Sequence, residues 1–156
     1  MKDYNGFSAD QRNRAQRWLN VQWAAGTLPR PTKCVACGQD EGIIDAHAED
    51  YSEPFRAGVT DGFHLCFACH MMVHCRHRNQ LRWSQYRATV EEGFKTLPYH
   101  SRNWPRFQRE ILTGPLRREL FTSVARVERL ALYEIELSQD EVAQRLGARH
   151  LAVAGR

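Results

Sequence analysis

The chain has 156 residues, 42% of them hydrophobic and 26% charged, and its formal net charge is +4. This length suits one domain with an appendage and is enough to bury a core without covalent help. No apolar run approaches membrane-spanning length, and the opening residues lack the apolar stretch of a signal peptide. We therefore expect a cytoplasmic protein that does not enter a membrane.

The charge is unevenly distributed along the chain. Residues 34–61 carry one basic and seven acidic residues, whereas residues 62–118 carry ten basic and three acidic residues, for a net charge of +7. A basic segment beside an acidic one indicates a polyanionic partner. Solvated faces of ordinary helices are the alternative interpretation, and charge alone does not decide between the two.

A first helix is predicted from about Ala9 to Ala25. Ser8 followed by Gln11 is a capping-box pattern, and Gly26 is a fitting end. Residues 33–66 then predict two turns joined by a short hairpin, with the apolar pair at 43–44 as its strand core. Residues 51–62 contain one proline and two glycines, which favours a loop.

The second half of the chain is predicted to be helical. A helix begins near Phe67, is ended or bent near Asn79, and helical sequence continues to Gly93. After loop-like residues 96–105, a short helix ends at Gly114, and Pro115 starts a last long helix with an apolar stripe reaching residue 135. Residues 137–147 weakly resemble the opening of a helix-turn-helix, but an amphipathic C-terminal helix is the preferred interpretation.

The cysteines carry the strongest chemical signal. Cys34 and Cys37 form one Cys-x-x-Cys pair, Cys66 and Cys69 form another, and 28 residues separate the pairs. Zinc takes four thiolates in a tetrahedron, and in a cytosolic chain this spacing indicates metal binding rather than disulfides. The sequence therefore predicts one structural zinc ion held by these four residues. Cys75 is interpreted as a small buried hydrophobic residue.

Three stretches between residues 33 and 75 support a family resemblance. They read Ala46-His47-Ala48-Glu49-Asp50-Tyr51-Ser52-Glu53-Pro54, then Leu65-Cys66-Phe67-Ala68-Cys69-His70, and then His74. Together with the first cysteine pair they resemble the zinc-stapled HNH endonucleases. The resemblance is closer to small phage and mobile-element proteins in which a His-His pair precedes Asp-Tyr-Ser-x-Pro.

The resemblance implies a ββα unit and a second divalent ion such as Mg2+, Mn2+ or Ni2+. His47 stands at the strand position and His70 at the helix position, so both are implied as catalytic residues. His74 lies one turn after His70, and Asp50 is a nearby carboxylate, so the implied candidates for the second ion are His47, Asp50, His70 and His74. Zinc ligation, or a polar cluster around the zinc, is the alternative role for the three histidines.

The residues flanking His47 depart from the family pattern. If His47 is the general base, the adjacent metal ligand is lost to Ala46. If His47 is the ligand, Ala48 replaces the base. The second alignment keeps Asp50-Tyr51-Ser52 in phase with the phage proteins and is preferred. It predicts weak or absent cleavage.

Arginines interleaved with aromatic residues follow the predicted metal helix. Such a pattern suits phosphate contact and base stacking. The predicted nucleic-acid-binding residues are Arg76, Arg78, Arg82 and Arg87. Amphipathic packing, with Trp83 and Tyr86 facing inward, is the alternative interpretation of the aromatic residues.

Together these patterns predict an α+β, mostly α-helical protein with a zinc-bound ββα or treble-clef core. Residues 1–28 form an N-terminal helix, residues 29–93 the zinc-stapled core with its basic helix, and residues 94–156 a C-terminal helical extension. DNA is the expected partner. A metal-dependent endonuclease with a degenerate site is one predicted function. A non-catalytic nucleic-acid-binding module, or a protein-binding inhibitor, of a phage or mobile element is the other. The sequence does not determine the oligomeric state.

Overall fold

The structure, a computed structural model, describes residues 3–55 and 62–123, and this part of the chain is α+β and mostly helical, as predicted. Its helices are α1 (Ala9–Ala24), α2 (Phe67–Cys75), α3 (Gln80–Glu91) and α4 (Trp104–Phe107). Its strands are β1 (Ile44–Ala48), β2 (Gly62–Cys66), β3 (Phe94–Thr96) and β4 (Phe121–Ser123). Within these ranges, every helix is too short or too polar to cross a membrane.

The strands form two small sheets. β1 and β2 make one two-stranded sheet, and α2 follows β2 directly, so the element order is β1–β2–α2. β3 and β4 make the other sheet, which is antiparallel and pairs Phe94 with Ser123 and Thr96 with Phe121.

The chain divides into two compact units. The first contains residues 3–30, 47–55 and 62–63 of the described chain, and the second contains residues 31–46 and 64–123. Both boundaries fall inside strands, between residues 46 and 47 of β1 and between residues 63 and 64 of β2. The predicted division at residues 28 and 93 stays a prediction.

The predicted first helix is confirmed in the first unit. The Ser8 side chain accepts a hydrogen bond from the Gln11 backbone, and the Gln11 side chain accepts one from the Ser8 backbone. This reciprocal pair satisfies two N–H groups that have no partner inside the helix. Gly26, at a φ of +70°, follows the helix end in the left-handed region that glycine favours. Ala15 and Leu19 are buried, as their spacing predicts.

The helices predicted from Phe67 onward are also confirmed. α2 ends at Cys75, and Asn79 then caps α3 by accepting a hydrogen bond from the Arg82 backbone N–H at 3.0 Å. Asn79 therefore begins a new helix. Trp83 and Tyr86 on α3 are buried, which supports the amphipathic interpretation of these aromatic residues.

An aromatic cluster fills the core of the second unit. The Phe107 ring lies 5.3 Å from Phe67, 5.4 Å from Tyr99 and 5.7 Å from Trp104, measured between ring centroids. The short helix that was predicted to end at Gly114 is present as α4, and a π-helical segment (Gln108–Thr113) continues it. Through Phe107, α4 packs against Phe67, the first residue of α2.

The long helix predicted from Pro115 is wrong over the described residues. A 3-10 turn occupies Arg118–Leu120, and β4 follows it. Phe121 is buried at 8% exposure and pairs with β3, a tertiary contact that the apolar stripe did not reveal. A Cβ on Gly114 would clash with the Arg109 carbonyl oxygen, so the chain can turn closely there only with glycine. The stripe from residue 124 onward and residues 137–147 lie outside the described residues.

Candidate metal centre

The first cysteine pair lies in a tight turn. The Cys34 N–H donates to the Gln39 carbonyl oxygen at 2.8 Å, and the Gly38 N–H donates to the Cys34 carbonyl oxygen at 2.9 Å. Gly38 has a φ of +76°, a conformation that residues with a Cβ rarely adopt. The Val35 N–H donates to the His64 carbonyl oxygen at 2.8 Å, so this turn is joined to β2.

The second pair completes a four-sulfur cluster. Cys66 ends β2 and precedes α2, and Cys69 lies in the first turn of that helix. The four Sγ atoms lie within 4.8 Å of one another, and those of Cys37 and Cys66 are 3.7 Å apart. A disulfide needs about 2.05 Å between sulfurs. Four sulfurs at about 2.3 Å from a central ion are about 3.8 Å apart, so the cluster fits a metal ion such as zinc.

The cluster is buried and its thiols interact strongly. Burial raises the pKa of Cys34, but hydrogen bonds from Cys37, Cys66 and Cys69 outweigh it and hold that pKa well below its usual value. Hydrogen bonds with Cys34 and Cys37, together with burial, raise the pKa of Cys66 and Cys69. A divalent ion that binds here must therefore displace thiol protons, which couples metal affinity to pH.

Two residues that the sequence did not single out as site residues support the cluster. The Tyr86 hydroxyl on α3 lies 3.2 Å from the Cys69 Sγ atom, and Tyr86 is fully buried. Gln39, at 1% exposure, donates from Nε2 to the Thr96 carbonyl oxygen at 2.7 Å. These contacts join the cluster to α3 and β3. The only signal for Tyr86 was its place on an apolar helix face, which indicates burial and not a sulfur contact.

A pair of histidines lies on α2. The rings of His70 and His74 are 4.9 Å apart, as expected one helical turn from each other. The Asp45 Oδ2 atom, on β1, lies 3.7 Å from the His70 Nδ1 atom. Sequence reasoning missed Asp45, although its position two residues before His47 on a strand places both side chains on one face.

His47 is fully buried in the first unit. Its Nε2 atom lies 2.6 Å from the Glu49 Oε1 atom, and Glu49 is itself only 2% exposed. The hydroxyl group of Tyr4 and the side-chain amide of Asn5 also donate to the Glu49 carboxylate. Glu49 was quoted in the sequence pattern but was given no role there.

The Asp50 carboxylate stabilises the turn in which it lies. Its Oδ1 atom accepts hydrogen bonds from the Ser52 backbone N–H at 2.8 Å and from the Ser52 hydroxyl at 2.6 Å. This is the local pattern in which an aspartate stabilises a loop. A role for Asp50 in ion binding stays a prediction. Asp61, a further carboxylate near the sequence pattern, lies outside the described residues.

The predicted nucleic-acid-binding arginines have different surroundings. Arg76 is buried and donates to the Val73 carbonyl oxygen, and Arg82 is buried and donates to the carbonyl oxygens of Ile111 and Gly114. Arg87 is half-buried, 3.7 Å from the Glu91 carboxylate. Arg78 is exposed. Phosphate contact by this group stays a prediction, and exposed arginines offer the cleaner test of it.

Comparison with known proteins adds no relative. No family model matches the chain, and neither the curated proteins nor the solved structures contain a match to it.

We expect purified protein to contain about one zinc ion per chain and to lose its fold when a chelator removes it, because the free energy of thiolate–zinc binding contributes to folding. Elemental analysis and circular dichroism measure both quantities. Cys66→Ser should lose zinc and unfold at lower urea. Cys75→Ser, outside the cluster, is the matched control and should keep both properties. A stably folded Cys66→Ser protein, or wild-type protein with little zinc, would contradict the assignment.

We expect Tyr86→Phe to lower zinc affinity by about 10- to 100-fold, because it removes a hydroxyl that contacts the Cys69 sulfur and keeps the ring. Competition against a chromophoric chelator measures the affinity. Tyr99→Phe is the matched control, since the Tyr99 hydroxyl donates to the Glu110 carboxylate at 2.7 Å and does not contact a cysteine. An equal loss of zinc affinity in both variants would mean that Tyr86 acts only through stability.

Proposed function

We propose that this chain is a zinc-stapled, HNH-like protein that binds DNA and carries a second divalent-ion site. The observation that carries the proposal is the arrangement on α2. Cys69, which belongs to the sulfur cluster, is followed directly by His70, and His74 lies one turn later. The same helix is therefore anchored by the cluster and presents two imidazoles. The β1–β2–α2 order agrees with the ββα unit that the resemblance implies.

α2 and β1 carry side chains of the kind that bind divalent ions. Two imidazoles and one carboxylate, from His70, His74 and Asp45, are ligands that Mn2+, Ni2+ or Zn2+ accept. His47 enters the proposal from the sequence resemblance alone. When bound, a divalent ion neutralises charge on a phosphate group that is being cleaved.

The surroundings of His47 favour the ligand role over the general-base role. A general base must reach the attacking water, whereas His47 is 0% exposed. Ala48, at 1% exposure, offers no base. We therefore expect a protein that binds DNA and cleaves it weakly or not at all. A non-catalytic DNA-binding module with the same fold is therefore the second candidate.

In this proposal the exposed arginines of the basic segment contact DNA. Arg78, Arg102 and Arg109 are exposed, in contrast to Arg76 and Arg82, whose guanidinium groups contact backbone carbonyls. Phosphate contacts of this kind release counterions, so they weaken as salt rises.

We expect the protein to bind a DNA duplex with an affinity that falls steeply with salt, and the triple variant Arg78→Ala, Arg102→Ala, Arg109→Ala to bind more weakly. Each lost phosphate contact should lower the slope of log affinity against log salt by about 1. Fluorescence anisotropy at several salt concentrations measures both effects.

Arg17→Ala on α1 is the control, because Arg17 is exposed but lies outside the basic segment. Its affinity should match that of wild-type protein. Undetectable binding by wild-type protein at low salt would reject the DNA-binding proposal and favour a protein partner.

We expect zinc-loaded protein to bind one further Mn2+ or Ni2+ ion, and His70→Ala and Asp45→Asn to weaken that binding by at least about tenfold while zinc content stays unchanged. Titration calorimetry measures the affinity for the added ion, and elemental analysis measures the zinc content. His77→Ala, which changes an exposed histidine of the same segment, should bind like wild-type protein.

Nicking of supercoiled plasmid with Mg2+, Mn2+ or Ni2+ distinguishes the two candidates. Wild-type protein should nick slowly or not at all. Rapid nicking that His47→Ala abolishes would assign His47 as the general base, because losing such a base costs roughly 100- to 10,000-fold in rate. No binding of a further ion would leave only the non-catalytic module.

A further inference from the structure

A buried carboxylate connects His47 to the segment that precedes α1. The Glu49 Oε1 atom lies 2.6 Å from His47 Nε2, and the Tyr4 hydroxyl lies 3.0 Å from both Glu49 carboxylate oxygens. The Asn5 side-chain amide donates to the Glu49 Oε2 atom and, at 3.4 Å, to its carbonyl oxygen. His47 and Glu49 are almost completely buried, so water does not compete for these contacts.

The chemistry of these groups determines which ring nitrogen carries hydrogen. A carboxylate only accepts hydrogen bonds, and a neutral imidazole has one donor and one acceptor nitrogen. His47 Nε2 is therefore the donor toward the Glu49 carboxylate, and in the neutral ring the lone pair is then on Nδ1. A histidine in this tautomer can bind a metal ion or accept a proton only through Nδ1.

We propose that Glu49 is a positioning residue for His47. It holds the imidazole in the Nε2–H tautomer and in one orientation, so that Nδ1 carries the lone pair with which the neutral ring would bind an ion. Tyr4 and Asn5 hold Glu49 in turn, which makes the segment before α1 part of the site. The use of Nδ1 rests on the proposed function, whereas the tautomer does not.

Further contacts limit the movement of this network. The Tyr4 ring meets the His47 ring edge-on, with 5.9 Å between centroids. The Arg12 guanidinium, on α1, lies 5.3 Å from the Tyr4 ring centroid and 5.5 Å from that of Tyr51. Cation–aromatic contacts at these distances are favourable. α1 therefore supports the tyrosine that in turn supports Glu49.

The test reads the His47 tautomer directly. Zinc-loaded protein labelled with nitrogen-15 is studied by NMR in mildly alkaline buffer, where an ordinary imidazole is neutral. Ring nitrogen shifts distinguish Nε2–H from Nδ1–H, and His47→Gln assigns the signal. Wild-type protein should show His47 as Nε2–H. Glu49→Gln should shift population to Nδ1–H, because an amide can donate to Nε2 as well as accept from it. Tyr4→Phe, which keeps the carboxylate, should retain Nε2–H.

A second measurement separates positioning from general stability. Glu49→Gln should weaken Mn2+ binding by about 10- to 100-fold with zinc content unchanged. A wild-type His47 in the Nδ1–H tautomer would overturn the proposal without any variant. A Glu49→Gln protein that keeps both the tautomer and the Mn2+ affinity would also overturn it. If wild-type protein binds no Mn2+, the second-ion part of the proposed function fails, and the NMR comparison alone decides the role of Glu49.

Discussion

The contact among four cysteine sulfurs, all within 4.8 Å of one another, connects the elements of the second unit. The turn that carries Cys34 is hydrogen-bonded to β2, and Cys69 lies in the first turn of α2. Tyr86 brings α3 to the same sulfurs, and Gln39 joins the turn to β3. Isolated two-stranded sheets are at best marginally stable, so a metal ion in this cluster would supply stability that the sheets lack.

The cluster also determines where α2 begins. Because Cys69 precedes His70, the anchored first turn sets the direction of the two histidines of this helix. Sites on rigid elements hold their geometry better than sites on loops. His47 is positioned differently: it contacts Glu49, and buried hydrogen bonds join Glu49 to the segment before α1. One histidine pair is thus positioned by a sulfur cluster and the other histidine by a carboxylate.

Features that depend on short-range signals were predictable. The paired Cys-x-x-Cys spacing indicated the cluster, Ser8 and Gln11 indicated the start of α1, and the helix beginning near Phe67 followed from its sequence. Each signal arises from contacts between residues only a few positions apart, so it can be recognised in the local sequence. Asn79 was recognised as a boundary for the same reason, although its effect as a cap of α3 required the structure.

The sequence by itself determined the cysteine cluster, the starts of α1 and α2 and the α+β class. Only the tertiary structure decided which polar side chains were buried and what they contact. Arg82 is predicted to contact phosphate from its place in the basic segment, and only the structure shows that its guanidinium donates to the carbonyls of Ile111 and Gly114. Tyr4 and Glu49 are 45 residues apart, and no periodicity links them. Periodicity shows which side of an element faces inward, but a partner distant in sequence is set by how the chain folds back.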